Sequence, residues 1–271
     1  SGAGLAAINI VVDGRNLMLK LDLTGHTAVV TGATGQLGRA ITRTLADCGA
    51  NVAIHYHHNE AMAQKLLAEV AGMGRNACIV EADVTKEADV MRMRDEIVAK
   101  IGAPDIICCN AVIQYKWVNI LDQPLADYQS QFDSCVIHNV LMAKAFVPAM
   151  IEKGWGRVIG TNTECSMQCF PTQSAYVAGK RGMDGIYRIL AKEVGKYNIT
   201  VNQVAPGWTI SEDHPQTGPG IDDDYVKQVP LGHRGEAQNI ANAVAFFASD
   251  LAKFITGMYL PVCGGFVMPR I

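Results

Sequence analysis

The stretch Thr27–Gly38 reads TAVVTGATGQLG, and it decides the fold class. Its first part, Thr27–Thr31, is a short β-branched run that predicts a strand, and Gly32, Gly35 and Gly38 follow directly. We expect a helix to begin within these glycines. Residues without a Cβ let the backbone turn tightly and approach a pyrophosphate, whose charge suits the N–H groups at a helix start. The stretch therefore predicts a dinucleotide site; the alternative is a plain strand-to-helix turn.

The rest of the chain alternates short β-branched runs with longer amphipathic stretches, which is typical of a parallel sheet covered by helices. The predicted strands are Thr27–Thr31, Val52–Tyr56, Ala77–Glu81, Ile106–Cys109, Arg157–Gly160, Thr200–Val204 and Met258–Val262. The predicted helices are Gln36–Asp47, Glu60–Gly72, Glu87–Ile101, Asp127–Glu152, Ser174–Tyr197 and Glu236–Ser249. No linker or repeat divides them. We predict one α/β domain over residues 21–271, a Rossmann-type doubly wound sheet of seven parallel strands.

Composition excludes several classes of protein. The 271 residues are 49% hydrophobic and 18% charged, with a net charge of −3, which is ordinary for a globular protein and leaves no basic excess for nucleic acid. No run of 18 or more apolar residues predicts a membrane span. The eight cysteines lack the Cys/His spacing of a metal site, so we expect reduced thiols, no metal and a cytoplasmic location.

Two segments stand apart from the alternating pattern. Residues 1–20 are interpreted as an extension, because Ser1–Gly4 resembles the remnant of an expression tag and Met18 could be the natural start. The stretch Gly207–Gly232 is rich in glycine and proline and includes three consecutive aspartates. Loops of this length are usually functional lids or disordered, and we favour a lid.

The end of the second predicted strand bears on which nicotinamide cofactor binds. An acidic residue at this position would bind the ribose hydroxyls of NAD and repel a 2′-phosphate, but the chain has His55–Asn59 there, with no carboxylate. Since imidazoles can donate hydrogen bonds, we predict that Tyr56 and His57 contact NADP(H), with NAD(H) also possible. The alternative is that these histidines are ordinary solvated surface.

Two further strand ends carry polar residues. Asp83 follows the third predicted strand and could accept a hydrogen bond from an adenine amino group, with Val84 beside it. Asn110 and Ala111 end the fourth strand, at the sheet edge where ligands of open α/β sheets bind. For Asp83 and for Asn110 taken alone, capping the following turn is an equally good interpretation.

Tyr176 and Lys180 stand four residues apart on a predicted helix, so they share a face. The ammonium group would lower the phenol pKa toward the range of an acid/base catalyst. Such a pair also arises by chance, so its spacing alone proves little.

With these residues in place, the chain resembles the short-chain dehydrogenase/reductase family from about Leu21 to Met268. The family's Tyr-x-x-x-Lys motif matches Tyr176 and Lys180, Thr163 stands thirteen residues earlier where a serine is usual, and Asn139 matches the helix asparagine of the tetrad. The family's proline-glycine segment after the sixth strand matches Pro206–Trp208, with Ser211 beyond it. The tail segments Pro230–Glu236, Ile255–Gly257 and Gly264-Gly265 are similar to the 3-oxoacyl-[acyl carrier protein] reductase branch.

The resemblance implies hydride transfer between a nicotinamide cofactor and a ketone or secondary alcohol, and a homotetramer paired through the helices Asp127–Glu152 and Ser174–Tyr197. The implied catalytic residues are Asn139, Thr163, Tyr176 and Lys180. The expected cofactor-binding residues are Gly32, Thr34, Gly35, Gln36, Leu37, Gly38, Tyr56, His57, Asp83, Val84, Asn110, Ala111, Tyr176, Lys180, Pro206, Gly207, Thr209 and Ser211. Gln114, Trp117 and Trp208 are the expected substrate contacts, with simple packing as the alternative.

The chain departs from the family pattern at four positions. Gln36 and Val112 replace glycines, Cys263 replaces an aspartate, and Thr163 replaces the serine. Threonine keeps the hydroxyl that donates to a substrate carbonyl, although its methyl group restricts the rotamer and could slow the reaction. These departures motivate two alternatives to an enzyme, a non-catalytic redox sensor that binds NADP(H) and a structural scaffold.

Overall fold

Seven parallel strands form the central sheet of the protein, in a computed structural model that describes residues 9–12, 15–18, 21–212 and 223–268. In chain order they are β1 (Thr27–Val30), β2 (Asn51–Tyr56), β3 (Ala77–Glu81), β4 (Ile106–Cys109), β5 (Gly156–Thr161), β6 (Ile199–Pro206) and β7 (Tyr259–Val262). Their spatial order is β3-β2-β1-β4-β5-β6-β7. The predicted doubly wound sheet is confirmed, since the chain returns to the centre of the sheet after β3 and continues from β4 in the other direction.

Helices cover both faces of this sheet. They are α1 (Gln36–Asp47), α2 (Glu60–Gly72), α3 (Glu87–Ile101), α4 (Leu125–Phe132), α5 (His138–Lys153), α6 (Cys165–Gln168), α7 (Ser174–Val194), α8 (Asp223–Val226) and α9 (Ala237–Ala248). One apolar core lies beneath α1, α2 and α9, and the other beneath α3, α5 and α7. Because both faces are covered, the strands are nearly continuous apolar runs, and β1 is buried at all four positions.

The long helix predicted over Asp127–Glu152 is interrupted. It begins earlier, at Leu125, and residues Asp133–Ile137 form a π-helical turn between α4 and α5. Helix α7 packs very closely here, because a Cβ on Gly179 would lie 2.7 Å from the Gln131 carbonyl oxygen. Hydrophobic periodicity does not reveal one extra residue in a helical turn, which is why the pattern predicted a continuous helix.

Helix α7 also ends before the predicted boundary. The α-helical geometry stops at Val194, and Gly195–Tyr197 continue as one 3₁₀ turn. Asn198 then adopts a left-handed backbone conformation with φ of 62°. The polar side chain of asparagine makes it one of the few residues that tolerate this conformation, so the helix stops there.

The predicted extension contains a β-hairpin. Asn9–Val12 and Arg15–Met18 pair antiparallel, while the other residues of the segment 1–20 lie outside the described part of the chain. The signal that could have predicted this pairing is Asp13-Gly14, a dipeptide typical of tight hairpin turns, between two alternating runs. The interpretation of residues 1–20 as an extension stays a prediction.

One helical run among the described residues is apolar and long enough to cross a bilayer. It covers Leu125–Lys153, and 61% of its most apolar window is buried inside the fold. That degree of burial is what a core helix shows.

A buried carboxylate joins three elements at the edge of the sheet opposite the glycine-rich turn. Asp105, directly before β4, is 3% exposed and accepts hydrogen bonds from the Thr27 N–H at 3.0 Å and from His26 Nδ1 at 2.9 Å. Lys153 of α5 also donates to it. Burial raises the pKa of Asp105, but the hydrogen bonds from His26 and Lys153 outweigh that effect, so its pKa lies below the ordinary value.

We expect Asp105→Asn to lower the free energy of unfolding at pH 7 by about 2 kcal/mol, because the Lys153 ammonium group loses its charge-assisted bond and His26 loses its carboxylate partner. An aspartate with a lowered folded pKa stabilises the fold above its unfolded pKa of about 3.9, and this contribution is lost as the pH falls through the folded value. Urea unfolding at pH 7 and pH 2.5 should therefore show a difference that shrinks in acid. The exposed Asp95→Asn serves as control, and equal midpoints of wild type and Asp105→Asn at pH 7 would contradict the prediction.

Candidate active site

The predicted site residues meet at the carboxyl edge of the sheet, at the point where the strand order reverses between β1 and β4. Gly32, Tyr56, Asp83 and Asn110 each follow or end one of the strands β1 to β4. Ligands of open α/β sheets bind at this position because the strand ends leave a crevice there.

The glycine-rich turn packs too tightly for side chains. Gly32 has a φ of +60°, and a Cβ on it would lie 2.9 Å from the Ala111 Cα. A Cβ on Gly38 would lie 2.2 Å from the Gly32 carbonyl oxygen. The turn is thus held against α1 on one side and against the end of β4 on the other.

The start of α1 presents donors that a phosphate could use. Gly35 is the N-cap residue, no side chain caps the helix, and its first turn has no acidic residue. Among the hydrogen bonds between described residues, none uses the N–H groups of Gln36 and Leu37. Two free donors at a helix start, beside glycines that permit close approach, fit the pyrophosphate of a dinucleotide. Thr34, also in the turn, offers its carbonyl oxygen to Arg39 at 3.1 Å.

His55 holds the glycine-rich turn through a hydrogen bond to its backbone, a role that sequence reasoning missed. Its Nδ1 accepts the Gly32 N–H at 2.9 Å, and its Nε2 lies 3.0 Å from the Ala82 carbonyl oxygen, so Nε2 carries the proton. The ring is 2% exposed, and burial lowers its pKa to about 4. A neutral imidazole therefore connects the glycine-rich turn with the end of β3.

The Gln36 side chain is hydrogen-bonded to the segment that follows β6. Its Nε2 donates to the Ile210 carbonyl oxygen at 2.8 Å, and its Oε1 accepts the Glu212 N–H at 3.0 Å. Arg39, one turn later, pairs with the Glu212 carboxylate. The amide thus holds the segment after β6 against the glycine-rich turn, and only the backbone N–H of Gln36 remains for a phosphate.

The predicted contacts at the ends of β2 and β3 differ in exposure. Tyr56 and Val84 are buried, whereas His57 is exposed and stacks on His58 with ring centroids 3.7 Å apart. The Asp83 carboxylate accepts from the Thr85 N–H at 3.0 Å and from Lys86 at 3.0 Å. Burial raises the pKa of Asp83, but these bonds outweigh it and lower the pKa to about 2. Asp83 therefore caps the following turn, as the alternative interpretation proposed.

Asn110 and Ala111 are part of a hydrogen-bonded clamp on β1. The Thr31 hydroxyl accepts the N–H groups of both residues, at 2.9 and 3.1 Å. The Asn110 amide donates to the Gly32 carbonyl oxygen at 3.3 Å and accepts from the Thr161 hydroxyl at 3.2 Å. The ends of β1, β4 and β5 are thus fixed relative to one another.

Tyr176 and Lys180 lie on the same face of α7, next to Thr163 in the turn after β5. The Lys180 Nζ lies 5.7 Å from the Tyr176 ring centroid and donates to the Thr161 carbonyl oxygen at 2.6 Å. Burial lowers the pKa of Lys180 and raises that of Tyr176, while a hydrogen bond with Thr163 acts against the rise. Desolvation of the phenol is the largest effect on the Tyr176 pKa, and the expectation that Lys180 lowers this pKa stays a prediction.

Asn139 is fixed just after the π-helical turn. Its side-chain nitrogen donates to the Cys135 carbonyl oxygen, and its oxygen accepts from the Tyr187 hydroxyl, both at 2.7 Å. It is 5% exposed. The structure therefore places it on α5 beside α7, with its orientation set by two partners.

The three expected substrate contacts fall in different surroundings. Trp117 stacks on Tyr176 with ring centroids 5.9 Å apart, whereas Gln114 is exposed. Trp208 packs against Tyr225 and Arg234. Sequence reasoning missed Tyr115, whose hydroxyl accepts the Tyr176 N–H at 2.7 Å at the first turn of α7.

The segment after β6 borders the same crevice. Pro206 is buried, the Gly207 N–H donates to the Val262 carbonyl oxygen at 3.0 Å, and the Thr209 hydroxyl donates to the Gly207 carbonyl oxygen at 2.9 Å. Ser211 is partly buried. Only the two ends of the predicted lid are described, 207–212 and 223–232, and the part between them lies outside the described residues. Across the described residues, no group of three or more His, Cys, Asp or Glu could hold a metal ion.

A family model described as enoyl-(acyl carrier protein) reductase matches residues 32–267. The 3-oxoacyl-[acyl-carrier-protein] reductase of Staphylococcus epidermidis is 32% identical over 252 residues, which cover 89% of this chain and 99% of that protein. The chain belongs to the short-chain dehydrogenase/reductase family. Its resemblance in sequence and its fold therefore agree, and the chain is an NAD(P)-dependent oxidoreductase.

Two solved structures of dehydrogenases share this architecture. A 7α-hydroxysteroid dehydrogenase complexed with NADH and 7-oxo glycochenodeoxycholic acid superposes with a TM-score of 0.86 at 27% identity, covering 92% of this chain and 97% of that one. A gluconate 5-dehydrogenase from Burkholderia cenocepacia, in complex with NADP and tartrate, gives 0.85 at 28% identity, covering 91% and 97%. These likenesses support an enzyme and give no support to the non-catalytic sensor or the scaffold.

We expect His55→Leu to weaken NADPH binding about tenfold, because the Gly32 N–H loses its buried acceptor and the glycine-rich turn loosens. Titration of protein fluorescence with NADPH measures the affinity. His58→Ala, which changes an exposed histidine three residues away, is the matched control. Unchanged affinity in His55→Leu would show that the turn holds its shape without the imidazole.

Proposed function

We propose that this dehydrogenase/reductase interconverts a ketone and a secondary alcohol with NADP(H), using Tyr176 as the acid/base. The observation that carries the proposal is the convergence of Thr163, Tyr176 and Lys180 at the carboxyl edge of the sheet, beside a turn that fits a pyrophosphate. A hydroxyl, a phenol and an ammonium group beside a dinucleotide site are suited to carbonyl chemistry.

Each residue of this set has a distinct proposed role. When bound, the nicotinamide supplies or accepts the hydride. Thr163 and Tyr176 hold the substrate oxygen through their hydroxyl groups, and Tyr176 gives its proton to the oxygen that becomes an alkoxide. Lys180, fixed by its bond to Thr161, is proposed to bind the nicotinamide ribose. Asn139 is proposed to order a water that relays protons.

The protonation state of Tyr176 defines its proposed part in each direction of the reaction. The protonated phenol can donate a proton to an alkoxide during reduction, and burial favours this neutral form. Oxidation of an alcohol uses the phenolate as the base instead.

The proposed substrate is a small ketone, with β-ketoacyl thioesters to be tried first, because the relative from Staphylococcus epidermidis is a 3-oxoacyl-[acyl-carrier-protein] reductase. The aromatic side chains of Trp117 and Trp208 are the proposed walls of the substrate pocket. The steroid and sugar-acid dehydrogenases of the same architecture add cyclic ketones and ketosugars to the panel.

We also propose that the chain assembles as a homotetramer in the cytoplasm. Leu125 and Phe132 of α4 are 85% and 49% exposed, and they border a groove with Ala178 and Gly179 of α7. Apolar side chains this exposed on adjoining helices suit an interface between copies. The eight cysteines are all free, which supports a reducing compartment.

Cofactor choice gives the first test. We expect NADPH to bind more tightly than NADH, because Tyr56–Asn59 brings no carboxylate against a 2′-phosphate and the exposed His57 can donate to it. Fluorescence titration with each reduced cofactor compares the two dissociation constants. His57→Asp should reverse the preference, and clearly tighter NADH binding by the wild type would refute this argument.

Removal of the phenol tests the mechanism. We expect Tyr176→Phe to lower kcat at least about 100-fold, because a positioned acid typically contributes 10² to 10⁴, while cofactor affinity stays within about twofold. Absorbance at the reduced-nicotinamide band, with the ketone panel, measures turnover. Tyr197→Phe, in the 3₁₀ turn that follows α7, controls for loss of a phenol as such. Equal turnover by the wild type and Tyr176→Phe would contradict the proposed mechanism.

A further inference from the structure

A buried carboxyl group lies directly beside the proposed catalytic hydroxyl. Glu164 follows Thr163 in the turn between β5 and α6, and it is 3% exposed. Its backbone N–H donates to the Pro206 carbonyl oxygen at 3.0 Å. No Lys, Arg or His of the described chain pairs with its carboxyl group. Burial of a carboxyl group lowers the stability of the fold unless the group is hydrogen-bonded, so the hydrogen-bond partner of Glu164 is important.

That partner is the hydroxyl group of Tyr225 in the four-residue helix α8. Tyr225 Oη donates a hydrogen bond to Glu164 Oε1 at 2.8 Å. Tyr225 Oη also accepts a hydrogen bond from the Trp208 N–H at 2.8 Å. A continuous path of hydrogen bonds therefore runs from Trp208 through Tyr225 to Glu164. It joins the two described ends of the predicted lid to the turn that carries Thr163.

Packing holds the Tyr225 ring in this position. The ring lies 4.6 Å from Phe266 and meets Trp208 edge-on at 5.4 Å, measured between centroids. A Cβ on Gly207 would lie 2.7 Å from Tyr225 Oη, so the backbone leaves room for the hydroxyl group only because residue 207 is glycine. A helix as short as α8 is not stable by itself, and the bond to Glu164 is its polar attachment to the domain.

We propose that Glu164 is a positioning residue, which fixes Trp208 and α8 relative to Thr163 by accepting a hydrogen bond from the Tyr225 hydroxyl group. This inference rests on the proposed function insofar as Trp208 is a wall of the substrate pocket. The carboxyl group itself does not touch the reacting atoms. Its effect reaches the substrate through the orientation of the Trp208 backbone and side chain.

The titration of Glu164 gives this contact a pH dependence. Burial raises its pKa to about 7, while the bonds from Tyr225 and the Trp208 N–H act in the opposite direction. The titratable groups around it are Tyr225 from α8, Cys165 at the start of α6 and, beyond Tyr225, Cys263 from the turn after β7. Within the described residues, Glu164 Oε2 has no hydrogen-bond partner.

The direction of that dependence follows from the raised pKa. A solvated Glu164 has an ordinary pKa of about 4.3, so the buried contact binds more protons than the exposed state between that value and about 7. Burial is the larger effect, although the bond from Tyr225 itself favours the carboxylate. The buried arrangement of Glu164 beneath Tyr225 is therefore most stable when the carboxyl group is neutral, and it loses stability as the pH rises through this interval. A glutamine keeps the carbonyl acceptor and cannot ionise, so it should hold Tyr225 at every pH.

Hydrogen–deuterium exchange tests the contact without any substrate. The full chain and the variants Glu164→Ala, Glu164→Gln and Tyr225→Phe are compared in a peptide that contains Trp208, with a peptide from α2 as the reference. We expect Glu164→Ala and Tyr225→Phe to exchange about tenfold faster in the Trp208 peptide at pH 6, as for one lost hydrogen bond, and Glu164→Gln to match the wild type. Exposed Glu193→Ala is the control. Wild-type exchange in Glu164→Ala and Tyr225→Phe would overturn the proposal.

The pH series adds a second test. Between pH 6 and 8, the wild-type Trp208 peptide should lose protection relative to Glu164→Gln measured at the same pH, which removes the intrinsic pH dependence of exchange. Parallel profiles for the two proteins would refute the titration of Glu164 in this contact.

Turnover separates this inference from the proposed function. With an active ketone, kcat/KM should fall about tenfold in Glu164→Ala and be restored in Glu164→Gln. If no ketone is reduced by the wild type, the proposed function fails, while the exchange rates still decide whether Glu164 holds Trp208. If turnover is normal in every variant and exchange at Trp208 is unchanged, the inference fails and the proposed function stands.

Discussion

The close approach of the Gly32 backbone to the end of β4 is the constraint on which the site depends. Gly32 contacts Ala111, the Thr31 hydroxyl accepts the N–H groups that follow β4, and His55 holds the Gly32 N–H from the other side. A side chain at position 32 would separate the strand ends. Because the same turn starts α1, this one contact also sets the direction in which the free N–H groups of the helix point.

The fold was predictable because local pattern and topology agree. The bounds of α1, α2 and α3 follow from amphipathic periodicity, and the alternation of strands and helices leaves few topologies open. The interrupted helix around Asp133–Ile137 was not predictable, because a π-helical turn leaves the apolar pattern almost unchanged. The positions of the proposed catalytic side chains came from spacing and resemblance, whereas their pKa values depend on burial that only packing determines.

Two polar side chains have hydrogen-bond partners that sequence reasoning missed. Gln36 replaces a family glycine, and its side-chain amide pairs with backbone groups 174 and 176 residues away. His55 belongs to the segment His55–Asn59, which the sequence analysis interpreted as a cofactor-contacting surface without a carboxylate. The His55 ring is instead buried and neutral. In both cases the partner is a backbone group of another element, and sequence spacing carries no information on such long-range pairs.

The π-helical turn before Asn139 acts as a phase shift in the long helix. Each residue of an α-helix advances the side-chain direction by about 100°, so one extra residue in a turn rotates everything that follows by that angle. Asn139 follows this rotation and faces Tyr187 and the Cys135 carbonyl oxygen. A single-residue deletion within Asp133–Ile137 would turn the asparagine side chain by about 100°, so the geometry of the site depends on the number of residues in this turn.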